Sequence, residues 1–462
     1  MQKRNFTLLI IILIAILAIG LGFFYFYNTN QTATTASSPG SNFVSKFFPF
    51  FKSTPAPVET TAPADVSGFQ PAPVVEAPKL RLTKVSSMPI AGFGIFMKER
   101  FKELPVVVPI VAPVDTTVPV VTTTTTSTTK KTTTKTKTPV KPTSPPTEFV
   151  PAIRYVERAT GNIYQTFADK IEERKFTTTI IPIIYEAHFG NKGESVIMRY
   201  LKTDDRTIET FTGSLPKEVL GADTTGENQI KGSFFPENIS DLSMSADTLK
   251  LFYFFNIGDG TVGITSGSLG DKKSQIFNSP FTEWLSQWPN AKMITLTTKP
   301  AATVPGYMYA VDPNKKDFNK ILGNINGLTT LTSPNGKLVL YSNNNLALNI
   351  YSLDSRSSNP LGLKTLPEKC VWGKNSDSLY CSVPKFVDQL GYPDVWYQGQ
   401  VSFSDQIWKI NVTNNNASLI LDPASTLGGE DMDGIKLALD DGENYLFFVN
   451  KNNSYLWKLD LK

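Results

Sequence analysis

A unit of two short β-strands recurs along the chain, and this repeat constrains the fold more than any other feature. The clearest copy is SPNGKLVLYSNNNLALNIYSLD, residues 333–354, in which an apolar strand, a polar turn and a second strand end on an acidic residue. An aromatic residue near the end of the second strand marks the period, with spacings of 42, 57 and 49 residues between Tyr309, Tyr351, Trp408 and Trp457. Periods of about 40–50 residues with four short strands each are typical of β-propeller blades, because one small sheet buries both faces only when neighbours stack around a ring.

The repeat predicts an all-β fold, a β-propeller of about seven four-stranded blades, over residues 79–462. Three weaker units centre near Tyr164, Ile208 and Gly263, and a ring of six or eight blades remains the alternative. The last unit stops at its third strand, so the strand-like segment KLRLTKVS, residues 79–86, is predicted to supply the fourth. A ring shut in this way leaves few exposed sheet edges.

A low-complexity tract rich in Thr, Lys and Pro covers residues 105–148. Because a strand-like segment precedes it, we predict an insertion within the propeller domain. The tract holds five lysines against one Asp and one Glu, a local balance of +3, while the whole chain has a net charge of +4. Most of the excess charge therefore lies in one polar tract, and no nucleic-acid groove is indicated.

The N-terminal segment predicts a membrane anchor. Residues 6–27, FTLLIIILIAILAIGLGFFYFY, carry no charge over 22 positions, and a helix of that length crosses a hydrocarbon core of about 30 Å. Lys3 and Arg4 precede the run and its far side lacks nearby basic residues, which predicts a cytoplasmic N-terminus and an extracytoplasmic C-terminal domain. A cleaved signal peptide is the alternative, although its apolar region is normally about 7–15 residues. We therefore predict a single-pass anchor within residues 1–28 that contacts the lipid bilayer, and a disordered Thr/Pro/Ala-rich linker at 29–78.

The repeat also resembles a known family. The stretches SPNGKLVLYS and NIYSLD match the pattern of TolB-like and WD40-like bacterial propellers, in which a blade reads roughly S-P-D-G-K, an apolar strand and an I-Y-x-x-D strand. The resemblance covers about 79–462 at the level of the fold and is clearest from about residue 282 onward, with Asn335 where Asp is usual. The chain lacks the G-H and W-D dipeptides of eukaryotic WD40 proteins. The resemblance implies a structural and binding scaffold and brings no catalytic residues.

The sequence offers little for catalysis. Ser-His-Asp and Cys-His sites need a histidine base, and the single histidine, His188, lies at the start of a predicted strand, where a structural role is expected. No C-x-x-C, H-E-x-x-H, G-x-S-x-G or P-loop pattern occurs. The acidic turn GEDMDG, residues 429–434, offers oxygens to Ca²⁺ but lacks the rest of a twelve-residue loop, so a solvated turn is favoured. We therefore predict a protein that is not an enzyme and needs no cofactor or metal.

The two cysteines, Cys370 and Cys381, are predicted to form a disulfide. In KCVWGKNSDSLYC, a hairpin centred on Asn375 and Ser376 sets the cysteines opposite each other, with Cβ atoms about 4.5–5.5 Å apart. The predicted topology places them in an oxidising compartment. Two free buried thiols remain the alternative, because cysteine packs well as a small apolar residue.

A long aromatic loop is the candidate partner site. Residues 383–405 insert about twenty residues between the second and third strands of one unit, and loops of that length in compact domains are usually functional or disordered. Phe386, Tyr392, Trp396 and Tyr397 make disorder a poor fit, and Trp and Tyr often anchor binding. The alternative is a loop that folds back and caps its own blade.

Two functions follow from these features. The first is a membrane-anchored extracytoplasmic propeller that acts as a protein-interaction or envelope scaffold module and binds an envelope protein or peptide. The second is a carbohydrate-binding or glycoside-acting propeller with two carboxylates near the ring axis. The distance between those carboxylates, about 5–10 Å in glycosidases, separates the two functions.

Overall fold

Twenty-eight β-strands make up most of the described part of the protein, and they form seven four-stranded antiparallel sheets. The computed structural model describes residues 81–103, 145–218, 220, 229–387, 391–426 and 430–462, all within the unit Ala77–Lys462. The predicted anchor at 6–27, the linker at 29–78 and most of the insertion at 105–148 lie outside these residues. Across the described ranges, no helix has both the length and the apolar character that a membrane span needs.

Each sheet is one blade, and the strand nearest the ring axis is the first strand of the blade in blades 1 to 6 and β26 in blade 7. Strand β1 (Leu82–Lys84) comes first in the chain but belongs to the last blade. Blade 1 contains β2 (Ile90–Phe101), β3 (Thr147–Glu157), β4 (Ile163–Phe167) and β5 (Arg174–Lys175), and blade 2 contains β6 (Ile184–Gly190), β7 (Ser195–Leu201), β8 (Ile208–Ser214) and β9 (Lys231–Phe234). Blade 3 contains β10 (Ile239–Met244), β11 (Lys250–Ile257), β12 (Gly260–Gly267) and β13 (Ser274–Ser279), and blade 4 contains β14 (Trp284–Asn290), β15 (Met293–Thr298), β16 (Pro305–Val311) and β17 (Phe318–Asn326).

Blades 5 to 7 complete the ring, and the described residues of all seven blades include four single helical turns in the connections between strands. Blade 5 contains β18 (Thr329–Thr332), β19 (Leu338–Ser342), β20 (Ala347–Ser352) and β21 (Ser357–Lys364), and blade 6 contains β22 (Cys370–Trp372), β23 (Ser378–Pro384), β24 (Asp405–Asn411) and β25 (Asn416–Leu421). Blade 7 contains β26 (Gly434–Leu439), β27 (Tyr445–Asn450) and β28 (Leu456–Asp460), together with β1. The helical turns are the 3-10 segments Asn191–Gly193, Pro367–Lys369 and Pro423–Ser425 and the α-helical turn α1 (Asp394–Tyr397).

The seven blades confirm the predicted β-propeller and exclude rings of six or eight. The residues that marked the repeat all lie on third strands: Tyr164 on β4, Ile208 on β8, Gly263 on β12, Tyr309 on β16, Tyr351 on β20, Trp408 on β24 and Trp457 on β28. Strand β3 already begins at Thr147, so the insertion ends slightly before the predicted residue 148.

The predicted closure of the ring is also present. Strand β1 pairs with β28 and sets Leu82 opposite Leu459 and Lys84 opposite Trp457. Without β1 the outer edge of β28 would be unpaired, which is a hazard for aggregation. The last blade is thus built from both ends of the described chain.

The core lies between facing blades rather than along one central axis. Each of the seven blade interfaces holds its own cluster of buried apolar side chains. The interface of blades 3 and 4 packs Phe252 and Phe254 against Trp284 and Trp288. Because strands in a propeller are covered on both faces, strand β23 is buried at all its residues, and its sequence SLYCSVP lacks the alternation of a half-buried strand.

Candidate functional site

The propeller has two ends that differ in the connections they carry. We call the end at which each innermost strand begins the loop face; it carries the connections from blade to blade and those between second and third strands. The opposite end, the hairpin face, carries the connections between first and second and between third and fourth strands. A ligand reaches several blades at once at either face or in the central channel.

The described residues of the long loop of blade 6, 385–387 and 391–404, lie on the loop face, and part of the loop packs back on the propeller. Tyr392 and Trp396 are only 1% and 4% exposed. They join a separate apolar cluster whose fully buried members are Leu346, Leu366, Tyr392, Trp396 and Phe403. These two of the four predicted partner residues therefore belong to a cap, which is the alternative that the sequence left open.

The other two predicted residues of the loop reach solvent. Phe386 is 83% exposed, and Tyr397 is 40% exposed while its hydroxyl donates a hydrogen bond to Glu368. Partner binding by this loop stays a prediction, and in this arrangement it depends on Phe386 and Tyr397.

A buried lysine ties the cap to blades 6 and 7. Lys369 precedes β22, and its ammonium group forms ion pairs with Asp405 at 2.7 Å and with Asp433. Asp433 also accepts hydrogen bonds from the indole Nε1 of Trp396 at 2.9 Å and from the amide of Phe403 at 3.1 Å. One carboxylate thus joins the loop to a lysine of blade 6 and to the inner strand of blade 7.

Within this cluster, the carboxyl group of Asp405 has a raised pKa. Burial raises the pKa of Asp405 to about 6, the charge of Lys369 opposes this rise, and the charge of Asp433 adds to it. The ammonium group of Lys369 balances the charge of only one of the two carboxylates, Asp405 and Asp433. Protonation of Asp405 therefore removes the unbalanced negative charge.

In the described residues 430–434 of the acidic turn, Glu430 and Asp431 are exposed as predicted, whereas Asp433 is not. Asp433 is fully buried in ion pairs, and Asp431 accepts a hydrogen bond from Ser404 Oγ at 2.7 Å. In the ranges that the structure describes, no group of three or more His, Cys, Asp and Glu side chains could hold a metal ion.

The most exposed of the large apolar side chains concentrate on the loop face, although several that are less exposed, such as Leu249 and Leu269, lie on the hairpin face. Eight large apolar residues of the described ranges are more than half exposed, and only Phe149 lies toward the hairpin face. The other seven lie in loop-face connections or at the loop-face ends of strands: Ile180, Ile183, Phe234, Ile257, Phe281, Val304 and Phe386. Single exposed apolar residues are ordinary on protein surfaces, but a one-sided distribution indicates an interaction face.

A cavity of about 540 Å³ opens on the same face where blades 7, 1 and 2 meet. Ile183, Arg158 and Lys451 contribute to its walls. Lys451 Nζ also donates a hydrogen bond to the carbonyl of Trp396 at 2.7 Å, so the cavity borders the cap. The cavity, the cap and most exposed apolar residues therefore share one face.

Polar residues of the innermost strands line the ring axis. Glu186, Asp241, Ser286 and Lys436 are each the third residue of their strands, in blades 2, 3, 4 and 7. Asp241 Oδ2 accepts hydrogen bonds from the amide of Ser286 at 2.8 Å and from its hydroxyl at 2.6 Å. Lys436 Nζ donates to the carbonyl of Ala91 at 2.8 Å, so these side chains also connect neighbouring blades.

Two carboxylates of this ring have pKa values that move apart. Burial raises the pKa of Asp241 to about 7, and the charge of Glu186 acts in the same direction, although the Ser286 hydrogen bonds oppose it. Burial also acts to raise the pKa of Glu186, but the hydrogen bond with His188 at 2.9 Å and the charge of Arg199 outweigh it and hold that pKa well below its usual range. The innermost strands thus carry one carboxyl group with a raised pKa and one with a lowered pKa, the difference that distinguishes an acid from an ionised carboxylate in some active sites.

Cys370 and Cys381 are joined by a disulfide in the structure, with Cα atoms 4.0 Å apart. Strands β22 and β23 pair in the register expected from the hairpin, with Cys370 opposite Cys381 and Trp372 opposite Leu379. The bond closes the inner hairpin of blade 6, directly after Lys369.

Sequence reasoning missed the buried cluster around Lys369 and the polar residues that line the ring axis. Lys369 has its partners 36 and 64 residues further along the chain, in positions that no local pattern relates. The polar residues that line the ring axis could have been recognised in the sequence. If the repeats are aligned on their first strands, rather than on the aromatic positions of their third strands, Glu186, Asp241 and Lys436 fall in one column.

The protein was also compared with known families, curated proteins and solved structures. The sequence matches no protein-family model and no curated protein. Among solved structures, the chain is similar to TolB from Acinetobacter baumannii (TM-score 0.38, 10% identity, over 56% of this chain and 59% of TolB). It is also similar to an oligogalacturonate lyase in complex with manganese (TM-score 0.46, 9% identity, 67% of this chain and 85% of the lyase) and to the oligogalacturonate lyase of Vibrio parahaemolyticus (TM-score 0.41, 9% identity, 67% and 86%).

These likenesses concern the fold alone. The match spans 59% of the length of TolB. The predicted β-propeller is confirmed by the seven four-stranded blades.

Proposed function

We propose that this protein is a non-enzymatic binding module, displayed outside the cytoplasmic membrane on its N-terminal segment, that holds an envelope protein or peptide on its loop face. The one-sided distribution of exposed apolar side chains carries this proposal: seven of the eight more than half-exposed large apolar residues in the described ranges lie at that face. Binding would remove this surface from water, at about 25 cal/mol for each Å² of apolar area.

The shape and rigidity of the loop face fit the same role. The cavity of about 540 Å³ offers a recess beside the apolar residues, and Arg158 and Lys451 give it two cationic side chains. The cap is anchored by the buried Lys369, Asp405 and Asp433, so a partner would meet a pre-organised surface and lose little affinity to loop ordering.

The test is a comparison of two variants that remove exposed phenylalanines from different faces. The double variant Phe281→Ser/Phe386→Ser removes apolar surface from the loop face, whereas Phe149→Ser removes a residue that is 65% exposed near the hairpin face. Full-length protein is cross-linked in intact producing cells, purified, and its co-purifying proteins are quantified by mass spectrometry. We expect the double variant to lose its main partner about tenfold or more, with an unchanged melting temperature, while Phe149→Ser retains it. Equal recovery of that partner with all three proteins would refute the proposal.

A second candidate function is carbohydrate cleavage in the channel, and the opposed pKa values of Asp241 and Glu186 favour it. An acid and an ionised carboxylate are the pair that glycoside hydrolysis requires. In this case the wild-type protein releases reducing ends from a panel of polysaccharides, and Asp241→Asn and Glu186→Gln abolish the release while Ser243→Ala retains it. If the protein releases no reducing ends from any polysaccharide of the panel, carbohydrate cleavage is excluded and only the binding function remains.

A further inference from the structure

Strands β2 and β3 extend beyond the rest of blade 1 at the hairpin face. They have 12 and 11 residues, whereas no other first or second strand of a described blade has more than 8. Strand β4 pairs with β3 only as far as Phe167 opposite Ala152, so residues 97–101 and 147–151 form a two-stranded ribbon without a third strand. At about 3.3 Å per residue, these five residue pairs continue for about 15 Å.

One face of this ribbon is charged and is held by ion pairs. Lys98 pairs with Glu218, which follows the third strand of blade 2. Arg100 pairs with Glu148 at 2.8 Å and with Asp169 at 2.5 Å, and Asp169 follows the third strand of blade 1. The charged face is therefore fixed against blades 1 and 2. Because side chains alternate along a strand, the other face of the ribbon points away from these contacts.

The other face of the ribbon is mainly apolar and faces solvent. Met97, Phe101 and Phe149 lie on it and are 44%, 39% and 65% exposed. The register sets Phe101 opposite Thr147 and Phe149 opposite Glu99, which is the single charged residue of this face over the five pairs. Several apolar side chains exposed together on a projecting element indicate a surface that a partner or a membrane covers.

The chain that precedes the propeller favours a membrane as the covering surface. Strand β1 is antiparallel to β28 and so runs from the hairpin face to the loop face, which means that the chain before Leu82 joins the propeller at the hairpin face. That chain contains the apolar run 6–27, which predicts an anchor. The predicted linker at 29–78 would average about 40 Å end to end as a flexible coil. The ribbon thus projects from the face at which the propeller is tethered, and a short tether strengthens even a weak second contact with the same membrane.

We propose that the hairpin face rests on the lipid bilayer and that the ribbon inserts Met97, Phe101 and Phe149 at the level of the lipid headgroups and upper acyl chains. Binding at this depth strengthens with the apolar area that leaves water. Glu99 limits the depth, because a carboxylate in the hydrocarbon core is costly. In this orientation the loop face points away from the membrane and stays free for its partner. The inference rests on the anchor that the proposed function includes.

The experiment measures how close each face comes to lipid in full-length protein reconstituted into vesicles of phosphatidylethanolamine and phosphatidylglycerol. A fraction of the lipids carries a nitroxide quencher near the headgroup. Cys370 and Cys381 are joined in a disulfide, so one introduced cysteine carries the fluorophore. Thr147→Cys labels the apolar face of the ribbon without replacing its apolar residues, and Thr303→Cys is the matched control at an exposed loop-face position between β15 and β16. Flotation of the vesicles tests the anchor separately.

We expect the lipid quencher to act about twofold or more strongly on the Thr147→Cys label than on the Thr303→Cys label. Addition of Phe101→Ser and Phe149→Ser to the Thr147→Cys protein should lower the quenching to the level of the control, while flotation and the melting temperature stay unchanged. If that variant does not fold, Phe149→Ser alone should lower the quenching, because Phe149 is the most exposed of the three apolar residues.

Equal quenching of the two labels in vesicles that carry the protein would overturn this inference and leave the proposed function standing. A Thr147→Cys label that is shielded from iodide in water but is not quenched by lipid would also overturn it, since protein would then cover the ribbon. Quenching that persists without the phenylalanines would overturn it as well, because the tether alone would explain the proximity. Protein that does not float with the vesicles would refute the anchor, and this inference with it.

Discussion

Replacement of Lys369 by Met should destabilise the protein strongly, because it removes the only ammonium group that contacts both Asp405 and Asp433 among the described residues. All three side chains are fully buried. Removal of one partner from a buried ion pair typically costs about 3–5 kcal/mol, since the remaining charge stays out of water. For a domain of this size, about 2 °C of melting temperature corresponds to 1 kcal/mol, so we expect a fall of about 6–10 °C at pH 8.

The fall in melting temperature caused by Lys369→Met should depend on pH, and the protonation of the Asp405 carboxyl group determines the direction of this dependence. Its pKa is raised from the ordinary 3.8 to about 6, so between these values the folded state binds a proton that the unfolded state has released. The free energy of unfolding therefore falls as pH rises from about 4 to about 6, by about 3 kcal/mol in total for this group. At pH 5 the carboxyl is largely protonated, so Lys369→Met should lower the melting temperature less at pH 5 than at pH 8.

Thermal unfolding followed by circular dichroism at both pH values measures these shifts. Lys385→Met is the matched control, because Lys385 pairs with Asp422 at 2.8 Å in the same blade while both side chains are partly exposed, and such pairs contribute only about 0–1 kcal/mol. The double variant Lys369→Met/Asp405→Asn should recover part of the loss. A fall no larger than that of Lys385→Met, or one that is equal at pH 5 and pH 8, would refute the reasoning.

Three further predictions concern the anchor, the disulfide and the cap. Protease added to intact spheroplasts should digest the C-terminal domain if residues 6–27 span the membrane with the N-terminus inside; a protected domain in the membrane fraction would reverse this topology. Alkylation of the unreduced, denatured protein should label neither Cys370 nor Cys381, and two added labels by intact mass would contradict the disulfide seen here. Trp396→Ala should destabilise by about 3–5 kcal/mol, as for other buried aromatic residues, whereas Phe386→Ala should leave the melting temperature unchanged; equal melting temperatures would mean that the loop is no cap.

The fold could be read from the sequence because its determinants repeat. Every marker residue lies on a third strand, including the weak unit at Gly263. The pairing of β1 with the last blade was also predictable, because a blade with three strands requires a fourth from elsewhere.

The site was less predictable because its determinants occur once. Trp396 has the residue type of a binding anchor, yet an aromatic side chain that fills a cluster beneath a loop has the same local sequence signature. Lys369 reads as a surface lysine at the start of a hairpin, and only the packing of two distant aspartates shows that it is buried. The partners of Lys369 occupy positions that the repeat does not relate, so they leave no periodic trace in the chain.

The pairing of β1 with β28 also sets an order on synthesis and a path for mechanical load. Strand β1 precedes every other strand of the ring during translation, and its partner β28 follows them all, so the last blade cannot assemble until the whole propeller has been made. The chain that leads in from the N-terminal side enters the ring at β1, which pairs with β28 over only three residues. A pull on that segment would act first on this short strand pair, and the last blade would open before any of the six blades that are continuous in the chain.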